Sequence, residues 1–265
     1  MQGGDQVLAG VHFVFNSYVH GADFVLDVEA PFSALSREYE PSKRVFVHTE
    51  PSKSTDYIKF SPTEFSQWYP RLILSHHDQL RKFPQTRPIR MGGKWVQPDD
   101  SMRKEFGLGG FVSFKRDPRY EGYAFRQMVL DNQNSINIPG VIYNSGKSWR
   151  GQSHEYPVYS KDVVSKYMFH LCIENARESY WATEKLIDTL AVCSVPLYYG
   201  DPDIFDEFDP RGFILITPEN VIQTINALTP DDYGSRKEAV LANYEKSKRY
   251  WNVLENWACE LKKSV

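Results

Sequence analysis

Residues 167–201 read YMFHLCIENARESYWATEKLIDTLAVCSVPLYYGD, and the pattern changes character four times. Met168 to Ile173 is an apolar run that stops at Glu174-Asn175. A polar loop follows. Thr183-Glu184-Lys185 then leads into Leu186, Ile187, Leu190, Ala191 and Cys193, a spacing that puts the apolar residues on one side of a helix. Val195-Pro196-Leu197-Tyr198-Tyr199 is a second extended run, halted at Gly200. Strand, loop, helix and strand in this order form a unit of a parallel sheet. In such a sheet the carboxyl end of the first strand and the amino end of the following helix face one crevice, where ligands bind. Glu174, Asn175, Glu184 and Lys185 stand at those two places.

Toward the amino end of this stretch, Ile138–Tyr143 and Gly110–Phe114 read as further strands, with Gly122–Asp131 as a helix between them. Lys115, Arg116, Arg119 and Arg126 cluster after the Gly110–Phe114 strand. A helix amino terminus with arginines nearby suits a diphosphate, because unpaired N–H groups and guanidinium forks both favour anions. A solvated basic loop is the alternative. Gly146-Lys147-Ser148 has the tail of a P-loop, but the required first glycine falls on Val141, so a nucleoside triphosphatase is rejected. Asp201-Pro202-Asp203 has the D-x-D form of some metal sites, yet it follows a glycine turn and reads as a structural turn. Beyond it, Phe213–Ile216 is a short strand, and Pro218–Ala227, Pro230–Ser247 and Trp251–Lys263 read as helices, the last packing back on the body.

The amino-terminal half shows runs at Val11–Phe15, Ala22–Val28, Arg44–His48 and Arg71–Leu74, several ending in polar residues. This is again an α/β pattern. Pro51 biases Glu50 toward extended backbone, which leaves Glu50 at the carboxyl end of a parallel strand. A carboxylate held there can take a proton from an attacking hydroxyl. A solvated glutamate is the plainer reading. His76 and His77 are adjacent, so on a strand they point to opposite faces and do not share a metal. Gly92-Gly93 permits a tight turn or a close backbone approach. The polar segment Gln97–Lys104 reads as a linker, which divides the chain near Asp99 into residues 1–99 and 100–265.

The 265 residues suffice for one large domain or two small ones with a sizeable core. Hydrophobic content of 41% and charged content of 25% are those of a globular protein, and a net charge of -3 without a basic block argues against nucleic acid. Cys172, Cys193 and Cys259 lack metal-site spacing and read as free thiols in a reducing compartment. No apolar run is long enough to span a membrane, and the start is not a signal peptide, so a cytoplasmic protein is expected, peripheral at a membrane at most.

The opening stretch resembles the donor-binding motif of the α-1,3/1,4-fucosyltransferases. Four ordered elements carry the likeness: Tyr167-Met168-Phe169, Ile173-Glu174-Asn175, Thr183-Glu184-Lys185 and Val195-Pro196-Leu197-Tyr198-Tyr199-Gly200. Arg44-Val45-Phe46 through Glu50 looks like the strand whose terminal glutamate is proposed as the family's general base. Gly92-Gly93-Lys94-Trp95 and Gly122-Tyr123-Ala124-Phe125-Arg126 are similar to motifs of bacterial members. Three places depart: Met168 stands where a lysine is usual, Trp181 where a tyrosine is, and the base strand reads Thr49-Glu50-Pro51 where many members have Gly-Glu-Asn.

The resemblance implies an α/β, B-type glycosyltransferase fold of two Rossmann-like domains facing across a cleft, the second with a closing helix. It implies GDP-β-L-fucose as donor, a glycan hydroxyl as acceptor, inversion at the anomeric carbon, and no metal or other cofactor. By the same resemblance Glu50 is the catalytic base, Lys185 and Arg126 (or Arg119) meet the diphosphate, Glu184 takes ribose or sugar hydroxyls, and Glu174, Asn175 and Trp181 orient the donor. The departures at Met168 and Trp181 raise another GDP-hexose as the alternative donor, and the Thr49-Glu50-Pro51 context with the short chain raises a second alternative, a silent protein that binds sugar nucleotides or glycans.

Overall fold

The computed structural model describes residues 5–52, 61–113, 115–144 and 161–264; the Gly146-Lys147-Ser148 tripeptide lies outside them. The chain divides into two compact units, Met1–Arg90 with Asn252–Val265, and Met91–Trp251.

The first unit opens with an antiparallel hairpin, β1 (Gln6–Leu8) and β2 (Val11–Phe13). Its two-residue turn, Ala9-Gly10, has positive φ at both positions, as the twist of a tight hairpin demands. A parallel sheet follows: β3 (Val25–Val28), α1 (Ala34–Arg37), β4 (Arg44–Val47), α2 (Pro62–Trp68), β5 (Leu72–Leu74) and β6 (Thr86–Arg87), paired in the order β3-β4-β5-β6. Every residue of β4 and β5 is buried, the mark of central strands covered on both faces. Phe46, Phe65, Tyr69, Ile73 and Leu80 form the core between sheet and α2.

The second unit runs β7 (Glu105–Val112), α3 (Glu121–Asp131), β8 (Gly140–Asn144), β9 (Tyr167–Ile173), α4 (Glu184–Ala191), β10 (Val195–Tyr199), β11 (Ile214–Leu215), α5 (Val221–Ala227), α6 (Pro230–Gly234) and α7 (Lys237–Ser247). Its strands are all parallel, in the order β11-β10-β9-β7-β8. The chain moves from β7 outward to β8, then returns past β7 to place β9 on the other side. The reversal between β7 and β9 is the topological switch point, where open α/β sheets bind ligands at the carboxyl ends of the strands.

Two boundaries differ from the sequence expectation. The segment around Asp99 is not a linker: Gly92 N–H donates to Ala182 O (3.1 Å), Gly93 N–H to Tyr250 O (2.8 Å) and Asp99 N–H to Ala191 O (2.9 Å). These bonds tie residues 92–99 to the second unit, so the division falls at Arg90. The closing helix α8 (Val253–Lys262) groups with the first unit instead of the second. Arg87 donates to Glu260 O (2.9 Å), Asn256 to Arg90 O (3.1 Å) and Lys262 to Ala9 O (3.0 Å). The helix expected over 230–247 is two helices. A capping box of Thr229 and Asp232 starts α6, and the chain breaks at Gly234 before α7. Among the described residues, no helix is long and apolar enough to cross a membrane.

Candidate functional site

The site is built where β9 ends. Gly122, in the first turn of α3, lies against that strand end, and its N–H donates to Asn175 O at 3.0 Å. A Cβ added at Gly122 would stand 1.8 Å from Glu174 O, so only glycine lets α3 come this close. Arg126, one turn further along α3, is 2% exposed and donates from Nε to Ile173 O at 2.9 Å. Burial lowers its pKa, opposed by Glu174, Tyr123 and Glu184.

Glu174 follows β9 and has a fully buried side chain. Its Oε1 accepts from Thr183 N–H (2.8 Å) and Thr183 Oγ1 (2.9 Å), and its Oε2 lies 3.4 Å from Lys185 Nζ. Thr183 immediately precedes α4, so this carboxylate fixes where the helix begins. From the other side, Gly92 pairs with Thr183 in an isolated parallel bridge. Gly92 has φ +67°, and an added Cβ would lie 2.7 Å from Tyr250 O; the close approach expected of Gly92-Gly93 is found here. Lys185 Nζ lies 3.2 Å from Glu184 Oε1 and also donates to Thr183 Oγ1 at 3.0 Å. Burial works against the Lys185 ammonium, but Glu174 and Glu184 outweigh it and raise its pKa. Burial likewise works against the Glu184 carboxylate, and Lys185 and Lys161 overcome it, holding Glu184 well below the usual carboxylate range.

Lys161 and Asp188 belong to the same cluster, and sequence reasoning missed both. Lys161 Nζ lies 3.0 Å from Asp188 Oδ2 and 3.4 Å from Glu184 Oε1. Asp188 Oδ1 accepts from the Trp95 N–H at 2.6 Å. Burial pushes the Asp188 pKa up, with Lys161 opposing. Lys161, Lys185, Asp188, Gly110 of β7 and Leu171 of β9 line a cavity of about 20 Å³, beside the switch-point strands. The signal that existed in the sequence was Glu184 and Asp188 at i and i+4 on α4, a like-charge pair whose repulsion a cation between its members relieves.

Four sequence-derived residues, Arg126, Glu174, Glu184 and Lys185, thus come together around the start of α4. Asn175 joins them through Trp181, whose Nε1–H donates to Asn175 Oδ1 at 2.9 Å. The indole therefore supplies a donor where a tyrosine hydroxyl was expected. Arg119 stands apart: exposed on its loop, it pairs with Asp117 at 2.7 Å. Met168 is the second residue of β9. At about 3.3 Å per residue it lies roughly 20 Å from Glu174, at the opposite end of the strand. The Asp201 carboxylate accepts from Tyr180 N–H (2.9 Å) and Asp203 N–H (2.8 Å), so the D-x-D form is a turn.

In the first unit, Glu50 follows β4 and is exposed, as expected of a strand-end carboxylate. Its N–H and that of Thr49 both donate to Glu29 Oε1, the former at 3.1 Å. His48 and His76 are buried with rings stacked 4.7 Å apart. Burial, and then neighbouring imidazoles, push their pKa values down to about 2 and about 3. Among the described residues, no group of three or more His, Cys, Asp and Glu is placed to hold a metal ion.

Chemically, the second unit offers a rigid pair of unlike charges at a helix start. Lys185 presents an ammonium that two carboxylates keep protonated, and Glu184 presents a carboxylate kept ionised, its side chain 27% exposed. Anions and hydroxyl donors are the complementary groups.

The comparisons with known proteins agree with this architecture. No family model matches the chain. The α-(1,3)-fucosyltransferase FucT of Helicobacter pylori is 27% identical over 202 residues, which are 66% of this chain and 41% of that protein. The chain thus spans about two-fifths of the length of this curated relative. A crystal structure of an α1,3-fucosyltransferase superposes with a TM-score of 0.53 at 16% identity, over 88% of this chain and 80% of that one. A structure of α1,3-fucosyltransferase with GDP-fucose gives 0.52 at 18% identity, over 89% and 81%. The resemblance read from the four motif elements is borne out, and the fold is the B-type glycosyltransferase fold with two Rossmann-like units.

Proposed function

We propose that the chain is an inverting glycosyltransferase that moves L-fucose from GDP-β-L-fucose to a glycan hydroxyl, in α-1,3 or 1,4 linkage. The observation that carries this is the Glu174–Thr183–Glu184–Lys185 cluster at the switch point of the second unit. It is supported by a fold shared with an α1,3-fucosyltransferase solved with GDP-fucose.

In this reading the second unit binds GDP. The Lys185 ammonium stabilises the charge that grows on the diphosphate as the bond from the anomeric carbon to oxygen breaks and GDP leaves with the electron pair. Preset charge of this kind is often the largest catalytic contribution. Glu184 accepts hydrogen bonds from hydroxyls of the donor. Glu174 is fully buried, so it acts by holding Thr183 and Lys185 in place. Arg126, bonded to Ile173 O, adds positive potential from beneath the strand end. Glu50, exposed in the first unit, takes the proton from the acceptor hydroxyl as that oxygen bonds to the anomeric carbon. The reaction needs no metal or other cofactor, so chelation leaves turnover unchanged. A cytoplasmic setting belongs to the same proposal, supported by the buried free thiols Cys172 and Cys193.

The departures at Met168 and Trp181 do not favour another hexose. Met168 is remote from the cluster, and Trp181 keeps a hydrogen bond to Asn175. The test is thermal denaturation with GDP, UDP, CDP and GDP-sugars, followed by transfer from GDP-fucose to a glycan panel. A ligand at about 100 times its Kd adds about 2.7 kcal/mol to the folded state. GDP and GDP-fucose are expected to raise the melting temperature; stabilisation by UDP and not by GDP overturns the donor assignment.

A further inference from the structure

We propose that Lys161 is a positioning residue of the donor site, holding the Glu184 carboxylate in the orientation that reads the hydroxyls of the bound nucleotide. The inference rests on the GDP-sugar reading above and extends it to a residue outside the motif.

Glu184 and Asp188 lie one turn apart on α4, with side chains 27% and 7% exposed. Two carboxylates at i and i+4 on a helix repel each other, and more strongly where water is sparse. Lys161 Nζ sits between them, 3.0 Å from Asp188 and 3.4 Å from Glu184. The ammonium itself is fixed. Its main-chain N–H reaches Trp95 O at 3.4 Å, and Nζ stands 5.2 Å from the Trp95 ring and 5.8 Å from that of Phe111. Asp188 closes the loop by accepting from the Trp95 N–H at 2.6 Å. Lys161, Asp188 and residue 95 are thus one assembly of short links.

Glu184 is the point where this assembly meets the Lys185 side of the site. Its Oε1 is shared between Lys161 at 3.4 Å and Lys185 at 3.2 Å. Lys185 is already committed to Glu174 and Thr183. With Lys161 removed, Glu184 keeps the Lys185 contact and gains an unshielded Asp188 one turn away. Its carboxylate then turns from Asp188, and the hydroxyl contact it makes is lost. Among the described residues, the charged groups around Glu184 are Lys161, Lys185, Asp188, Glu174 and Arg126, and of these Lys161 alone touches both carboxylates of α4.

The experiment compares GDP with 2′,3′-dideoxy-GDP, which keeps the diphosphate and base but lacks the ribose hydroxyls. Binding is measured by calorimetry on the full chain, for the wild type and for Lys161→Met and Lys161→Arg. A hydrogen bond between a hydroxyl and a carboxylate makes wild type prefer GDP by roughly 10-fold or more. The expected result is that Lys161→Met brings the two ligands to within about 2-fold, while Lys161→Arg keeps most of the preference. If Lys161→Met melts below the assay temperature, Lys161→Gln gives the same comparison. Equal weakening of both ligands would make Lys161 a general support for the fold or an attractor of phosphate, and would overturn the proposal. An unchanged preference would overturn it too. Failure of the wild type to bind GDP at all would instead sink the GDP-sugar reading, so the two failures are separable.

Discussion

Two glutamates stand just beyond the ends of two parallel strands, and their surroundings are opposite. Glu174 follows β9 in the second unit; its side chain is fully buried and both oxygens are engaged by Thr183 and Lys185. Glu50 follows β4 in the first unit and is exposed, its backbone held by the Glu29 carboxylate. A fully buried carboxylate engaged on both oxygens can position its neighbours but presents no surface to a substrate. An exposed carboxylate on a fixed backbone can accept a proton. Strand-end position alone makes both residues candidates, and burial separates Glu174, a scaffold residue, from Glu50, the proposed base.

The sharpest way to break that separation is Glu50→Gln. The exchange keeps size and hydrogen-bonding capacity and removes the basic oxygen. Turnover from GDP-fucose is expected to fall about 10²–10⁴-fold, with GDP affinity and melting temperature unchanged. Near-normal turnover would remove Glu50 from the chemistry. The converse experiment is Glu174→Ala. It leaves Lys185 facing an empty pocket and frees the Thr183 N–H, so a loss of about 3 kcal/mol in chemical denaturation is expected. GDP binding should fall with it, because α4 loses the residue that fixes its start. If Glu174→Ala folded normally and failed only in turnover, the contrast between the two glutamates would collapse.

The reach of the sequence follows the same contrast. The β9–α4–β10 stretch was legible because its apolar spacing, its polar strand end and its helix start all pointed the same way. Glu50 was legible as a strand-end residue through Pro51. Lys161 was not: its partners Glu184 and Asp188 are 23 and 27 residues away in sequence, and nothing local marks a lysine as buried. Arg126 was legible as a cation near the site, but its bond to a main-chain carbonyl was not, since Ile173 is 47 residues away. The division of the chain was misread for a related reason. Residues 97–104 look like a polar linker by composition, yet Lys104 has a fully buried side chain in an ion pair with Asp99 at 3.2 Å. Composition does not report which polar residues find partners.

Acid tests the comparison at the level of the two units. His48 and His76, in the first unit, are buried neutral imidazoles with pKa values near 2 and 3; His170, in the second, is pushed down to about 3, mainly by burial. All three begin from an ordinary value of 6.5. Because the folded value is depressed, the unfolded chain takes up these protons first. The stability is therefore present above pH 6.5 and is lost as pH falls from there toward 3. At pH 5 each such imidazole costs about 2 kcal/mol. Hydrogen exchange at pH 7 and pH 5, corrected for intrinsic rates, should show β4 and β5 losing more protection than β9. Equal losses would mean that the histidine pair of the first unit is not held neutral.

The smallest effect concerns Trp181. Its side chain is almost fully buried and donates one hydrogen bond, from Nε1 to Asn175 Oδ1 at 2.9 Å. Trp181→Phe keeps an aromatic ring in the pocket and deletes that donor. A single bond of this kind is worth about 1 kcal/mol, so the melting temperature should drop by about 2–4 °C. Trp181→Tyr restores a polar group and should recover part of the loss. The donor comparison carries more meaning than the stability. If Trp181 only orients Asn175 beside Glu174, Phe and Tyr variants should weaken GDP and GDP-fucose by the same factor. If the indole itself selects the sugar, GDP affinity should hold while GDP-fucose weakens and another GDP-hexose gains. That second outcome would move Trp181 from the scaffold, with Glu174, to the residues that meet substrate.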